Sequence, residues 1–419
     1  MIPSINVILW DRPVGTLVES GSGRNKQICF YFDPMFVRSG LDIAPLRASI
    51  NGIVAKKGMP IYPEKDRLYG GLPSFIADSL PDNWGHLVFS QWAKAHNLHM
   101  KNISVLDRLA YIGRRGMGAL EFVPPISVEM ETPFKVEIEQ LSNLAQTMLK
   151  EAKEFKSRLS PDLVVESLFR VGTSAGGRRP KALINVNLES GECYSGQVAT
   201  ELPGFIPMII KFDEHADLPT TRIEYAYYLM ARQAGLRMMP SRLLAGKDEV
   251  HFLTQRFDRN GNEKLHVQTF AAMDSQSTSY EDLFVVARKL DLPQDDLKQL
   301  FLQTALNFMA ANVDDHNKNF SFIMDCLGKW RAAPAYDFTF TVDPSAPYYV
   351  NRHCMTLNDK NHDVSTQDLL ELAASFEIKG ARKMLETARN AVENFAEHAK
   401  AAGLKPEVTD LIMQNHIVG

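Results

Sequence analysis

The stretch Asn312-Val313-Asp314-Asp315-His316-Asn317-Lys318-Asn319-Phe320 constrains the fold of this chain more than any other. A long apolar run of helical period (Leu297, Phe301, Ala305, Phe308, Met309) leads into it, and a strand-like run, Phe320-Ser321-Phe322-Ile323-Met324, leads out. An acid, an amide five positions later and a further lone acid, Asp337 in Ala335-Tyr336-Asp337-Phe338, follow the order of a phosphoryl-transfer loop. In such loops the first Asp accepts the proton of the attacking hydroxyl, while the Asn and the later Asp hold Mg²⁺ on the nucleotide phosphates.

The spacing Asp314 to Asn319 is the D-x-x-x-x-N of protein kinases, and Tyr336-Asp337-Phe338 stands where D-F-G would. An ordinary protein kinase is excluded by the flanks, which carry neither H-R-D nor A-P-E. A Ser-His-Asp hydrolase is discarded for want of a G-x-S-x-G elbow.

At 419 residues the chain exceeds one compact core, and two or three lobes are expected. The apolar and charged fractions are those of ordinary globular proteins, and a net charge of −4 argues against a strongly basic nucleic-acid binder. Cys29, Cys193, Cys326 and Cys354 are far apart, show no metal-ligand spacing, and read as isolated thiols in a reducing cytoplasm. No apolar run approaches a membrane span, and Met1-Ile2-Pro3-Ser4 does not begin a secretory signal, so a soluble cytoplasmic protein is expected.

Along the chain, Ile5–Trp10, a turn at Asp11-Arg12-Pro13, Val14–Val18 and Cys29–Phe32 predict a small antiparallel sheet. Helical patterns from about Gly71 to Leu98, interrupted at Ser79–Gly85, lead to Val105–Gly113, a glycine-rich turn and a strand ending near Phe122. The charge-rich segment Ser127–Pro161, with helix period at Ile138, Leu141, Leu144 and Met148, reads as a connector. Next, Leu168–Lys181 reads as a glycine-rich turn between extended segments. There, backbone N–H groups of Gly176 and Gly177 could approach phosphates, with Lys181 adding a charge; Gly-Gly before Arg and Pro is more often an ordinary tight turn, and its position ahead of the 314–319 loop favours the phosphate reading.

Phe205–Phe212 reads as a buried strand carrying one cation, Lys211. A buried ammonium there would need partners, and Glu224, early in the next helix, is the natural candidate beside a bound phosphate; a lysine at the strand end pointing to water fits the pattern equally. Val250–Arg259 is a strand ending at a charged turn, where an adenine-binding hinge between lobes would sit. The rest is an α-rich lobe, with helices near 366–376 and 381–402 and a short one at the end. Within the central loop, His316 is read as a brace and Lys318 as a phosphate ligand. His353 and His362 lack further ligands for zinc, and Arg178 and Arg179 are more simply exposed loop arginines.

Taken in order, Ser174-Ala175-Gly176-Gly177-Arg178-Arg179-Pro180-Lys181, Ile210-Lys211, Glu224-Tyr225, Arg256-Phe257-Asp258-Arg259, the Asp314–Phe320 loop and Tyr336-Asp337 resemble the HipA-type serine/threonine kinases. These are the toxins of bacterial type II toxin–antitoxin pairs. Leu80-Pro81-Asp82 and Ile112-Gly113-Arg114 with Gly118-Ala119 are similar to the family's N-terminal part, so the likeness spans nearly the whole chain.

The resemblance implies an α+β, two-lobed, protein-kinase-like fold. A β-containing N-terminal subdomain would span 1–125, a kinase N-lobe-like region 126–260, and an α-helical lobe with the catalytic loop 261–419. It implies ATP and Mg²⁺ as cosubstrate and cofactor, with Asp314 as proton acceptor, Lys318 beside it, and Asn319 and Asp337 on the metal. The nucleotide would be held by Gly176, Gly177, Arg178, Arg179, Pro180 and Lys181 of a phosphate loop and by Lys211, supported by Glu224. Further contacts would come from the backbone at Gln255, Arg256 and Phe257, and from His316, Asn317, Lys318, Asn319, Tyr336 and Asp337.

Autophosphorylation would fall on Ser174, with Thr173 as neighbour. Implied partners are a HipB-like helix-turn-helix antitoxin, operator DNA through it, and a protein substrate such as an aminoacyl-tRNA synthetase. Three positions depart from the family: Asp315 where Gly is frequent, adding a charge beside the base; Arg178-Arg179-Pro180-Lys181 in place of a Gln-containing loop; and Gln255 in place of Glu. The competing readings are a catalytically weak corepressor acting with a DNA-binding antitoxin, and a small-molecule kinase.

Overall fold

The computed structural model describes residues 2–21, 27–63, 69–125, 133–154, 163–172, 179–196, 203–214, 218–247, 249–261, 263–343, 345–347 and 350–417. The chain opens with β1 (Ser4–Leu9), β2 (Arg12–Ser20) and β3 (Gln27–Phe32), joined later by β4 (Leu120–Val123) in an antiparallel sheet ordered β3-β2-β1-β4. The first turn lies earlier than Asp11-Arg12-Pro13. Leu9 pairs with Arg12, and Trp10 and Asp11 take φ of 49° and 58°, the two-residue turn whose twist suits a hairpin. Pro13 therefore falls inside β2 opposite Ile8, where a register irregularity accommodates its missing N–H.

A second antiparallel sheet forms the small lobe: β5 (Lys181–Asn187), β6 (Cys193–Ser195), β7 (Phe205–Lys211), β8 (Ser241–Ala245) and β9 (Val250–Gln255), ordered β6-β5-β7-β9-β8. Strand alternation sends Ala182, Ile184, Val186, Met208, Ile210 and Leu253 to one face. There they share a core with Trp84, Phe89 and Trp92 of the helix Asn83–Ala95, Leu141, Leu144 and Met148 of the helix Ile138–Glu154, and Phe169 of the helix Leu163–Gly172. Two readings change here. The segment around 138–154 packs into this core rather than merely connecting, and a helix, not an extended segment, precedes the glycine-rich turn. Thr173 to Arg178 lie outside the described residues, and with them Ser174, Gly176 and Gly177.

The large lobe contains β10 (Arg259–Asn260) paired with β11 (Glu263–Lys264), and a sheet of β12 (His266–Thr269), β13 (Ser321–Met324) and β14 (Trp330–Ala332). Around them pack the helices Tyr280–Lys289, Gln294–Met309, Thr366–Ser375, Ala381–Glu393, Phe395–Ala401 and Pro406–Met413. Its core is continuous with that of the N-terminal sheet. Tyr69 Oη and Ser74 Oγ each donate at 2.9 Å to the carbonyls of Ala271 and Ala272, closing the end of the short helix Phe270–Met273. The helix Thr220–Gln233 joins the lobes: Ile223, Ala226, Tyr227 and Met230 face the large core, and the Tyr227 hydroxyl donates to Ala310 O at 2.6 Å.

A buried ionic knot fixes the strand exit after β9. Arg256 grips Asp258 through two hydrogen bonds of 2.8 and 2.7 Å and donates to Gly196 O, while Arg259 Nη1 reaches the same carboxylate at 2.6 Å. Gly118 N–H also donates to Asp258, at 2.7 Å; its φ of +75° strains any side chain there, and a Cβ would crowd Val267. Burial alone would raise the Asp258 pKa, but the two guanidinium groups outweigh it and hold the carboxyl well below its usual range, while burial brings Arg259 down to about 10. A depressed carboxyl pKa gives stability that is present above pH ~4 and lost as pH falls further. Arg256→Ala, which leaves the buried carboxylate short of a partner, is expected to cost about 3–5 kcal/mol in denaturant unfolding at pH 7, with the gap to wild type narrowing in acid.

Candidate active site

Lys181 and Lys211 sit directly opposite one another on neighbouring strands, on the face of the sheet turned away from the small-lobe core. Both are buried, at 4% and 7% exposure, so their ammonium groups require counter-charge. Lys211 Nζ meets Glu224 Oε1 at 2.5 Å and also donates to Asp337. Arg179 adds a guanidinium 3.9 Å from Glu224 and 3.7 Å from Glu214. Burial disfavours the Lys211 charge, yet Asp337 and Glu224 outweigh it and raise its pKa; at Lys181 burial wins and the pKa falls. For Asp337, burial is overcome by Lys211 and Lys181, and the carboxyl is held well below its usual range. Asp337 has φ 50°, a left-handed backbone for a non-glycine residue, a kind of strain that concentrates at functional sites.

The loop after the helix Gln294–Met309 turns its two adjacent aspartates opposite ways. The Asp314 side chain is 62% exposed and its N–H donates to Thr341 Oγ1 at 3.0 Å. Asp315 is wholly buried: it accepts from Tyr280 Oη at 2.5 Å, from Cys354 N at 2.7 Å and from Met355 N at 3.4 Å, with His353 Nδ1 at 2.9 Å. Asp315 therefore anchors the loop from beneath instead of adding a charge beside Asp314. Bracing also comes from His353 rather than from His316, whose Nε2 lies 4.0 Å from Asp314 Oδ1.

The 3₁₀ turn Asn317–Asn319 completes the loop. Asn319 Nδ2 donates to Asp314 O at 2.7 Å, which leaves its amide oxygen as the atom to meet a cation. Asn317 Nδ2 donates to Ser277 O, so its amide nitrogen serves the loop's own packing. Lys318 Nζ bonds Asp82 of the N-terminal region at 2.7 Å; burial opposes its charge, and Asp82 outweighs burial to raise its pKa. Asp78, accepting from Thr269 N and Oγ1, is pushed by burial up to about 6 despite those bonds and Lys318.

At the lobe junction Phe257 stacks on Tyr336, with ring centroids 5.4 Å apart and planes 27° from parallel. The Tyr336 hydroxyl donates to Lys318 O at 2.7 Å, tying this aromatic surface to the loop. Gln255 N and Arg256 N donate to Pro240 O and Pro207 O, and the Arg256 side chain belongs to the Asp258 knot. Those two residues are thus engaged inside the fold, and Phe257 is the member of the trio that presents a surface. Pro180 precedes Lys181, its carbonyl accepting from Phe212 N at 3.0 Å.

Asn319 and Asp337 offer hard oxygen donors suited to Mg²⁺; the two lysines offer charge suited to phosphates; the Phe257–Tyr336 pair offers a flat face suited to a purine. The donor set fits a magnesium nucleotide. Sequence reasoning missed Tyr280, His353 and Thr341, which hold the loop from elsewhere in the chain, and gave Asp82 no role.

The model of the HipA-like C-terminal domain matches residues 173–402, and that of the HipA N-terminal domain residues 5–123. The chain belongs to the HipA family. A chain from the Shewanella oneidensis MR-1 toxin–antitoxin complex of HipA, HipB and operator DNA superposes with a TM-score of 0.66 at 15% identity, covering 98% of this chain and 96% of that one. That likeness shows the two-lobed, α+β, kinase-like HipA fold. The Sinorhizobium fredii protein "Putative kinase Y4mE" is 25% identical over 319 residues, 71% of this chain and 69% of that protein. Among the described residues no helix is long and apolar enough to cross a membrane.

Tyr280→Phe removes the hydroxyl that joins Asp315 to Asn307 Nδ2 (3.0 Å) and leaves both short of a partner. A loss of about 1–3 kcal/mol in urea unfolding is expected. Asp314→Ala, at an exposed position, should stay within about 0.5 kcal/mol of wild type.

Proposed function

We propose that the chain is an ATP-dependent serine/threonine protein kinase acting as the toxin of a bacterial toxin–antitoxin pair. The observation that carries this reading is the buried contact of Lys211 with Glu224 and Asp337, which joins the small-lobe strand, the bridging helix and the segment after β14 at one point. Bound ATP with Mg²⁺ would supply the phosphoryl group and the charge neutralisation its transfer needs.

The chain's own residues do the rest. Lys211 and Lys181 would hold phosphate oxygens, with Arg179 beside them, and Gly176, Gly177 and Arg178 are proposed as further phosphate contacts. Glu224 keeps Lys211 aimed. Asn319 and Asp337 would hold the metal, and Phe257 with Tyr336 would seat the base, with Gln255 and Arg256 fixing the strand end beside them. Asp314 orients the acceptor hydroxyl and takes its proton, on a loop kept in place by Asp315 and completed by His316, Asn317 and Lys318.

Family membership and the Shewanella complex, which contains HipB and operator DNA, support a HipB-like helix-turn-helix partner, with DNA contacted through it. The protein substrate is proposed to be translation-related, such as an aminoacyl-tRNA synthetase, and self-modification to fall on Ser174. Phosphorylation there would place about two negative charges beside the loop meant to cradle phosphates, and so shut the site.

Purified protein incubated with labelled ATP and Mg²⁺, followed by phosphosite mapping, tests this. Label on Ser174 is expected, lost in Ser174→Ala and reduced about 100- to 10,000-fold in Asp314→Ala. Induced expression should arrest growth for wild type and not for Asp314→Ala. Undiminished label or arrest with Asp314→Ala would refute the assignment.

A further inference from the structure

Beside the loop lies a cavity of about 170 Å³ lined by Leu80, Pro81, Asp82, His86, Phe89, Arg108 and Lys318, among others. It has room for a few waters, or for one carboxylate or phosphate group. Its walls come from the helices Asn83–Ala95 and Val105–Ile112 on one side and the 3₁₀ turn Asn317–Asn319 on the other, so the N-terminal region supplies a wall to the proposed catalytic loop.

Its charges are unevenly matched. Lys318 is paired with Asp82 at 2.7 Å. Arg108 is half-buried, its Nε is buried without a hydrogen-bond partner, and among the described residues no carboxylate offsets its desolvation. Its charge, after burial, also lowers the pKa of His86. A desolvated guanidinium facing a polar cavity is costly unless an anion joins it, and its planar fork suits an oxyanion. Asp78, held by Thr269, does not line the cavity.

The cavity is also near the site. Asp82 acts electrostatically on Lys181 and on Tyr336. Lys318 follows Asp314 by four residues, at most about 14 Å of backbone. A group bound there would belong to a residue only a few positions from a hydroxyl at Asp314.

We propose that this cavity is a subsite for an acidic group of the phosphoryl acceptor, a carboxylate or phosphate ester within a few residues of the accepting hydroxyl, and that Arg108 determines specificity there. The proposal rests on the phosphoryl-transfer reading for its acceptor, but not for its anion.

Two measurements separate these. In the first, labelled ATP and Mg²⁺ are supplied with a positional-scanning library of serine- and threonine-centred peptides carrying Glu, Asp, phosphoserine or Gln at each flanking position. Wild type should favour an acidic residue over Gln at one flanking position by about tenfold, the worth of one charge-assisted hydrogen bond. Arg108→Gln should flatten that preference and Arg108→Lys restore part of it; Glu against phosphoserine tells which oxyanion is preferred.

In the second, histidine-labelled protein without nucleotide is titrated with inorganic phosphate while the His86 ring is followed by NMR. An anion on Arg108 should raise the His86 pKa in wild type, with no phosphate response in Arg108→Gln. Peptide labelling without acidic preference, or with one unchanged in Arg108→Gln, would overturn the subsite. If no peptide is labelled at all, the phosphoryl-transfer reading fails, and the His86 response alone then decides whether the anion subsite stands. An Arg108-dependent response upholds it, and a response absent from wild type or unchanged in Arg108→Gln overturns it.

Discussion

Two lysine ammonium groups are buried opposite each other on adjacent strands of the small lobe, and much of the structure follows from neutralising them. Left alone, Lys181 and Lys211 would repel one another in a poorly solvated place and lose their protons. Glu224 answers from the bridging helix and Asp337 from a left-handed turn of the large lobe, so the counter-charges come from two other elements. The cluster therefore does more than neutralise charge: it fixes the bridging helix against the sheet and the 335–338 turn against both. Breaking such a pair leaves an uncompensated buried charge, which is why the arrangement is expected to be rigid before any ligand binds.

The loop at 312–319 solves a related problem by division of labour. One aspartate, Asp314, is exposed and makes few contacts, which suits the proton-accepting role proposed for it. The next is buried under Tyr280, His353 and two backbone N–H groups, which locks the exposed one in position. A second route, from Asn307 through Asn312 and Thr341 to Asp314 N, supports the same point from the large-lobe core. Lys318, paired with Asp82, ties the loop to the N-terminal region, so three parts of the chain converge on it.

Much of this was legible in the sequence where chemistry conflicts with environment. A lone cation in the apolar run 205–212 suits either a buried lysine with a carboxylate partner or a strand end in water, and the contact with Glu224 decides for the first. The Asp314–Asn319 spacing placed an acid and an amide on one turn, and the backbone bond between them follows. What could not be read was direction. Neighbouring loop residues follow no period, so nothing distinguished inward Asp315 from outward Asp314, and the groups that hold Asp315 come from 280 and 353–355. Pro13 looks like the corner of the hairpin in the sequence, whereas Trp10 and Asp11 take up the required positive φ. The run from Leu168 reads as extended because its apolar residues also suit a strand; packing of Leu168, Phe169 and Val171 against the small-lobe core makes it the end of the helix Leu163–Gly172.

The lysine–carboxylate cluster is proposed to be a preformed seat for a metal-bound nucleotide. Calorimetric titration with a non-hydrolysable ATP analogue, with and without Mg²⁺, on wild type and Asp337→Asn tests it most directly. Binding is expected to depend on Mg²⁺ in wild type and to lose that dependence in Asp337→Asn, with the fold retained by circular dichroism. Equal affinity with and without the metal, or an unaltered metal dependence in Asp337→Asn, would contradict it.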